Sequence, residues 1–173
     1  AFRVPRSTCQ LFGTIKALST IKNAIILVHG PKGCVYHINY ILGLRGDRPS
    51  EIFSTCLDEH DVIFGAEEKL TRAITELDGT FHPDFLFVLS CCASGIIGED
   101  VNAAVSGASI RSRAIAIESG GFEGDHAGGY KHTLARIAST LAEKTGESLP
   151  STINLIGVLR AGPDLQEIRE ILA

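Results

Sequence analysis

The sequence predicts an α/β fold, a parallel sheet with helices on both faces. Two observations carry this prediction. Short β-rich runs alternate with stretches of helical periodicity along the chain. The run DFLFVLS, residues 84–90, is apolar almost throughout, as a central strand covered on both sides must be.

In chain order, a helix is expected over Cys9–Thr20, then a strand over Ala24–His29 and a helix over Gly33–Leu42. A strand at Glu51–Thr55 precedes a long helix, Val62–Leu77, whose Val62, Ile63, Leu70, Ala73, Ile74 and Leu77 fall near helical spacing. Strand Asp84–Ser90, helix Gly98–Ser106 and strand Arg113–Glu118 follow. Tyr130–Lys144 closes the set, with Leu134, Ile137, Ala138 and Leu141 forming one stripe. The polar tract EKTGESLPS, 143–151, reads as a linker, so a first domain is placed at 1–150. The strand expected at Thr152–Val158 and the residues to 173 are read as the start of a second, similar domain.

Composition narrows the function. The chain has 173 residues, 45% of them hydrophobic, which supports a packed core. Sixteen basic and 20 acidic residues give a net charge of −4, with no cationic cluster for nucleic acid. No apolar stretch is long enough to span a membrane. The first residues lack the apolar core of a signal peptide, which points to the cytoplasm. In that setting five cysteines favour thiol or metal chemistry over disulfides.

Functional groups in an open α/β sheet gather beyond the carboxyl ends of the strands. Strand Ala24–His29 runs into HGPKGC, placing Cys34 on a turn that opens a helix. Strand Asp84–Ser90 runs into CCASGIIGED, placing Cys91 and Cys92 on the same edge. Strand Arg113–Glu118 runs into SGGFEG, and Cys9 precedes a helix that can lie alongside. Thiolates are stabilised at helix N-termini, and glycines let the backbone approach a bulky group. Free cysteine is equally a common core residue, and no C-x-x-C pair is present, so a metal site and plain packing both stand on spacing alone.

Cys56 is read as a packing residue, and His29 as a structural one that hydrogen-bonds neighbouring backbone. Asp58, Glu59 and Asp61 read as helix-capping groups rather than paired catalytic acids, and Glu99 and Asp100 as first-turn acids of the following helix. Neither phosphate-binding glycine motif is complete, so nucleotide binding is not expected.

The ordered set CQLFG, HGPKGC, FSTCLDEHDVIFG, EKL, LSCCASGIIGED, SGGFEG and NLIG spans almost the whole chain. Together these motifs resemble the N-terminal domain of the nitrogenase component 1 family. That family includes nitrogenase MoFe-type subunits, cofactor-assembly scaffolds, dark-operative protochlorophyllide reductase and related reductases. The resemblance implies a Rossmann-like domain carrying an iron–sulfur cluster, either [4Fe–4S] or a larger P-cluster-like one. It maps the cluster ligands onto Cys9, Cys34 and Cys92, with Gly33, Gly95, Gly120 and Gly121 beside the cofactor. Cys92 is preferred to Cys91 by its register with IIGED, and Cys91 is held as a neighbour or spare ligand. The implied function is electron relay from an ATP-dependent iron–sulfur reductase, with a second homologous subunit sharing the cluster. A cofactor-assembly scaffold is the alternative, and a metal-free α/β binding domain is the third reading.

Overall fold

In the computed structural model, four parallel strands form one sheet in the order β2-β1-β3-β4. The structure describes residues 8–44, 51–142, 153 and 163–172. The strands are β1 (Ala24–His29), β2 (Glu51–Ser54), β3 (Phe85–Ser90) and β4 (Arg113–Ile117). The helices are α1 (Gln10–Leu18), α2 (Lys32–Leu44), α3 (Glu59–Phe64), α4 (Glu67–Phe81), α5 (Cys92–Ile96), α6 (Val101–Gly107), α7 (His126–Leu141) and α8 (Pro163–Leu172). The expected α/β class is therefore present. The strand expected at Thr152–Val158 and the linker at 143–151 lie outside the described residues, apart from an exposed Ile153.

β1 and β3 are the central strands, and all but the first residue of each is buried. Side chains alternate across the sheet, so each strand feeds two cores. On one side Ile26, Val28, Phe87, Leu89, Ile115 and Ile117 pack with Leu11, Phe12, Ile15 and Leu18 of α1 and with α2. On the other, Ile25, Leu27, Leu86, Val88 and Ala116 pack with Leu70, Ile74 and Leu77 of α4 and with Val101 and Ala104 of α6. Each fully buried large side chain contributes about 1.5–3 kcal/mol. Edge strand β2 is shorter and only partly covered, which explains its weaker apolar pattern.

Three helices differ from the sequence expectation, and a fourth was not expected at all. Val62–Leu77 is not one helix but α3 and α4, separated at Gly65, whose φ of +86° disfavours any side chain. Val62, Ile63 and Phe64 are consequently exposed instead of joining the Leu70–Ile74–Leu77 stripe. The expected Gly98–Ser106 helix begins only at Val101, because Asp100 caps it and Gly98 takes a φ of +76°. An unexpected short helix, α5, fills the space directly after the paired cysteines. α7 starts four residues earlier than Tyr130, where the Asp125 carboxylate accepts the Gly128 N–H at 2.8 Å.

α1 is buried along most of its length because it crosses α7 at backbone contact. A Cβ on Gly13 would lie 1.9 Å from the His126 carbonyl oxygen, and one on Gly129 would lie 2.2 Å from the Gln10 carbonyl oxygen. The buried Thr133 hydroxyl donates to Thr14 Oγ1 at 3.0 Å across the same crossing. Gly79 in α4 has nothing within 4 Å of its would-be Cβ. Gly13→Ala and Gly129→Ala should therefore each destabilise the protein by about 1–3 kcal/mol or more through overpacking. Gly79→Ala should stabilise it by about 0.4–1 kcal/mol. Denaturant unfolding of the three variants should show these opposite signs.

Candidate functional site

The strand order makes β1 and β3 the pair from which the chain departs in opposite directions. α2 leads from β1 to β2 on one side, while β3 is followed outward by β4. Ligand sites in open α/β sheets form at the carboxyl ends of such strands. Here the pairing of His29 with Ser90 sets the HGPKGC and CCASG turns side by side.

Cys34 sits in the first turn of α2, its N–H donating to Pro31 O at 3.1 Å. Cys92 is the first residue of α5, and Cys91 is its N-cap. Cys9 is the N-cap of α1, exposed, with its side chain making no capping bond. Backbone pairing of Cys9 with Asp125 and donation from His126 N–H to Thr8 O at 3.0 Å tie it to the loop after β4. That loop is fixed in turn by two buried serines. Ser119 N–H donates to Ser90 Oγ at 3.0 Å, and Ser119 Oγ donates to Ser90 O at 2.7 Å.

Gly121 is where the segments meet. Its N–H donates to Cys92 Sγ at 3.1 Å. A Cβ at this residue would lie 3.0 Å from Cys92 Sγ and 3.2 Å from Cys9 Cβ, so any larger residue would press the two cysteines apart. Cys34 reaches the same rim. Its thiol donates to Cys91, and the sulfurs of Cys92 and Cys9 are close enough to act on it. The hydrogen bond to Cys91, burial and the neighbouring sulfurs push the Cys34 thiol far above its ordinary value. Cys91 is held below its ordinary value by that bond, against burial, with help from the Ser94 and Ala93 N–H groups and the Ser94 hydroxyl. The sulfur of Cys91 is thus engaged in capping α5, while Ser94 Oγ accepts from Cys91 N–H at 2.8 Å.

Cys56 does not take the packing role the sequence suggested. Cys56 is exposed with φ +54°, its sulfur directed at Ser54 O at 3.6 Å, so it does not pack in the core. The reason is the tight turn after β2, which swings it out of the sheet. A Cβ on Gly33 or Gly95 meets nothing within 4 Å, whereas one on Gly120 would lie 3.5 Å from Glu123 Oε1 and 3.8 Å from Cys91 O. The glycine that packing demands in the first turn is Gly30, where a Cβ would lie 2.4 Å from Cys91 Sγ. Asp58 and Asp61 form a capping box at α3, as expected of helix-capping acids. Lys69 Nζ donates to Asp61 Oδ2 at 2.5 Å, and this bond holds the Asp61 carboxyl below its usual range.

Glu99 and His29 also depart from expectation. Glu99 does not lie in the first turn of α6, and only Asp100 caps that helix. His29 is fully buried and bonds side chains, not neighbouring backbone: Nδ1 meets Thr55 Oγ1 at 3.0 Å and Nε2 meets Glu99 Oε2 at 3.4 Å. Sequence reasoning missed Thr55, Ser94 and Ser119. Only Ser94, three residues after Cys91, carried a capping-box spacing from which its role was legible.

Among the described residues no three His, Cys, Asp or Glu side chains converge tightly enough for a single metal ion. The rim instead offers thiols at three helix N-termini and a glycine cradle, a soft donor set suited to an iron–sulfur cluster. The family model for nitrogenase component 1 type oxidoreductase matches residues 9–173. This chain belongs to that family. It is 38% identical over 162 residues to the nitrogenase iron-molybdenum cofactor biosynthesis protein NifE of Clostridium pasteurianum, covering 89% of this chain and 35% of that protein. It is 32% identical over 178 residues to the nitrogenase molybdenum-iron protein beta chain of Methanothermobacter thermautotrophicus, covering 96% and 38%. The solved structure of nitrogenase Cp1 at pH 6.5 superposes with a TM-score of 0.77 at 25% identity, covering 86% of this chain and 34% of that one. The chain thus spans little more than a third of the length of these nitrogenase component 1 relatives. Among the described residues, no helix is long and apolar enough to cross a membrane.

Burial of His29 pushes its pKa below the ordinary 6.5, outweighing the opposing pull of Glu99 and Asp61. The unfolded chain then takes up this proton before the native one does. The contribution of His29 to stability is full above about pH 6.5 and is lost as pH falls through the lower, folded value. His29→Gln should accordingly flatten the loss of unfolding free energy between about pH 7 and pH 5 relative to the parent protein, measured by denaturant titration at each pH.

Proposed function

We propose that this chain is the cluster-holding portion of a nitrogenase-like oxidoreductase subunit, with Cys9, Cys34 and Cys92 ligating an iron–sulfur cluster. The subunit serves electron relay from an ATP-dependent iron–sulfur reductase to a substrate or cofactor site elsewhere in the protein. The observation that carries the reading is the Gly121 cradle, which brings Cys92 Sγ and Cys9 together on the rim that Cys34 also faces. When bound, the cluster supplies one-electron transfer. The chain's own part is to hold the thiols, donate the Gly121 N–H to sulfur and cover the inner side of the rim with α1 and α5.

Three thiols from one chain are one short of the four that a [4Fe–4S] cube takes. A second homologous subunit would provide the remainder, or three more thiols for a larger P-cluster-like group. Large apolar side chains lie exposed on the same segments as the cysteines, where a partner would cover them: Tyr36 on α2, Ile96 on α5 and Phe122 beside Gly121. Cys91 is left out of the ligand set because it is buried at the N-cap of α5, whereas Cys92 stands in register with IIGED and against Gly121.

The similarity to the NifE protein of Clostridium pasteurianum favours a second reading, a scaffold for metallocofactor assembly. ATP-dependent reduction of the cluster followed by substrate turnover supports the relay. Handover of a bound metallocofactor to another protein without turnover supports the scaffold.

The assignment makes five variants diverge. In the full-length protein purified without oxygen with its partner, Cys9→Ala, Cys34→Ala and Cys92→Ala should each lose iron and the broad absorption near ~400 nm expected of such clusters. Cys91→Ser should keep both, since serine is itself a good N-cap. Cys56→Ala should keep iron and change stability by no more than about 0.5 kcal/mol, as for an exposed site. Equal iron in all five variants would rule out the ligand set.

A further inference from the structure

A buried polar chain runs from the Cys34 turn to the junction between α3 and α4. Glu99 Oε2 faces His29 Nε2 at 3.4 Å, with the two side chains 9% and 0% exposed. A carboxylate only accepts, so Nε2 carries the ring proton and Nδ1 is the acceptor. The Thr55 hydroxyl must then donate to Nδ1 at 3.0 Å, which leaves its oxygen to accept the Gly30 N–H at 3.1 Å. Gly30 opens the turn that carries Cys34. At the other end, Glu99 Oε1 accepts the N–H of Ala66 at 2.5 Å, directly after the left-handed Gly65. Glu99 itself is anchored behind α5, where its N–H donates to Ser94 O at 3.0 Å. One carboxylate therefore joins the segments bearing Cys34 and Cys92 to the exposed apolar helix α3.

We propose that Glu99 and His29 are positioning residues that lock the Cys34 turn against the Cys92 helix and couple both to the α3–α4 junction. Each link in the chain hands its hydrogen bond to the next, from the Ala66 N–H through Glu99, His29 and Thr55 to the Gly30 N–H, so displacing one end loosens the other. A movement of α3 that withdraws the Ala66 N–H leaves Glu99 with His29 as its remaining partner. Loss of the Thr55 hydroxyl releases both the Gly30 N–H and the ring. The consequence for a cluster rests on the function proposed above, but the coupling is a property of the polypeptide and can be read without iron.

The test is amide hydrogen exchange in the full-length protein freed of metal, read at Gly30 and Ala66. Glu99→Gln offers one oxygen to two donors, so Gly30, which Glu99 does not touch, should exchange about tenfold faster. Thr55→Val approaches from the opposite end and should accelerate Ala66 by a similar factor, while Thr55→Ser restores both amides. Asp78→Asn is the control. It weakens another largely buried carboxylate, which accepts the Arg111 and Ser112 N–H groups at 3.0 and 2.8 Å, and should leave both amides unchanged. In the iron-loaded parent and Glu99→Gln proteins, equal iron with a shifted EPR signal is the expected companion result. If Glu99→Gln accelerates Ala66 alone, or Asp78→Asn accelerates Gly30 as much, the coupling is overturned. If Glu99→Gln does not fold, Thr55→Val decides alone: an unchanged Ala66 amide overturns the proposal. Absence of iron from the parent protein would sink the cluster reading but not the exchange result.

Discussion

The hydrogen-bonded pairing of β1 with β3, in register from Ala24–Phe85 to His29–Ser90, is the constraint on which the rim depends. Parallel pairing makes both strands end at the same edge, and burial on both faces holds the register. Their exits then emerge side by side, one toward Cys34 and the other toward Cys91 and Cys92. A slip of one residue would exchange the two cores and move one turn away from the other, so the apolar run and the rim geometry stand or fall together.

The turns at this edge remain ordered because their polar groups are satisfied internally. Ser90 and Ser119 exchange two bonds, Thr55 takes the Gly30 N–H, and Ser94 takes the Cys91 N–H. Each such group would cost roughly 1–3 kcal/mol if left buried without a partner. The same accounting divides the cysteines. Cys91 has spent its sulfur on the start of α5, whereas Cys9 caps α1 by position alone and leaves its thiol unused for capping. The adjacent Cys91 and Cys92 also serve different ends, Cys91 sealing α5 and Cys92 accepting the Gly121 N–H.

Cys9 depends on a distant feature. It reaches the rim only because α1 lies against α7 at backbone contact, with Gly13 and Gly129 supplying the absent side chains. A larger residue at either position would lift α1 and draw Cys9 away from Cys92. Packing energy in the helix pair is in this way converted into the position of a thiol 83 residues before Cys92 in sequence.

The alternation of β-rich and helical runs determined the class of fold. The placement of cysteines after strands determined that the chemistry lies at one edge, and the order of the motifs determined the family. All three are local, because strand burial, helix periodicity and turn composition are written in neighbouring residues. What only the tertiary structure decided is non-local. Gly65 ends α3 because its backbone turns left-handed beside Glu99, a residue 34 positions away in sequence. Cys56 leaves the core because the turn after β2 must return to Gly30. His29 finds Thr55 and Glu99 rather than its own backbone, since three strand ends and a helix start converge on it. Periodicity reports which way a side chain faces along its own element, but not which donors and acceptors folding will bring against it.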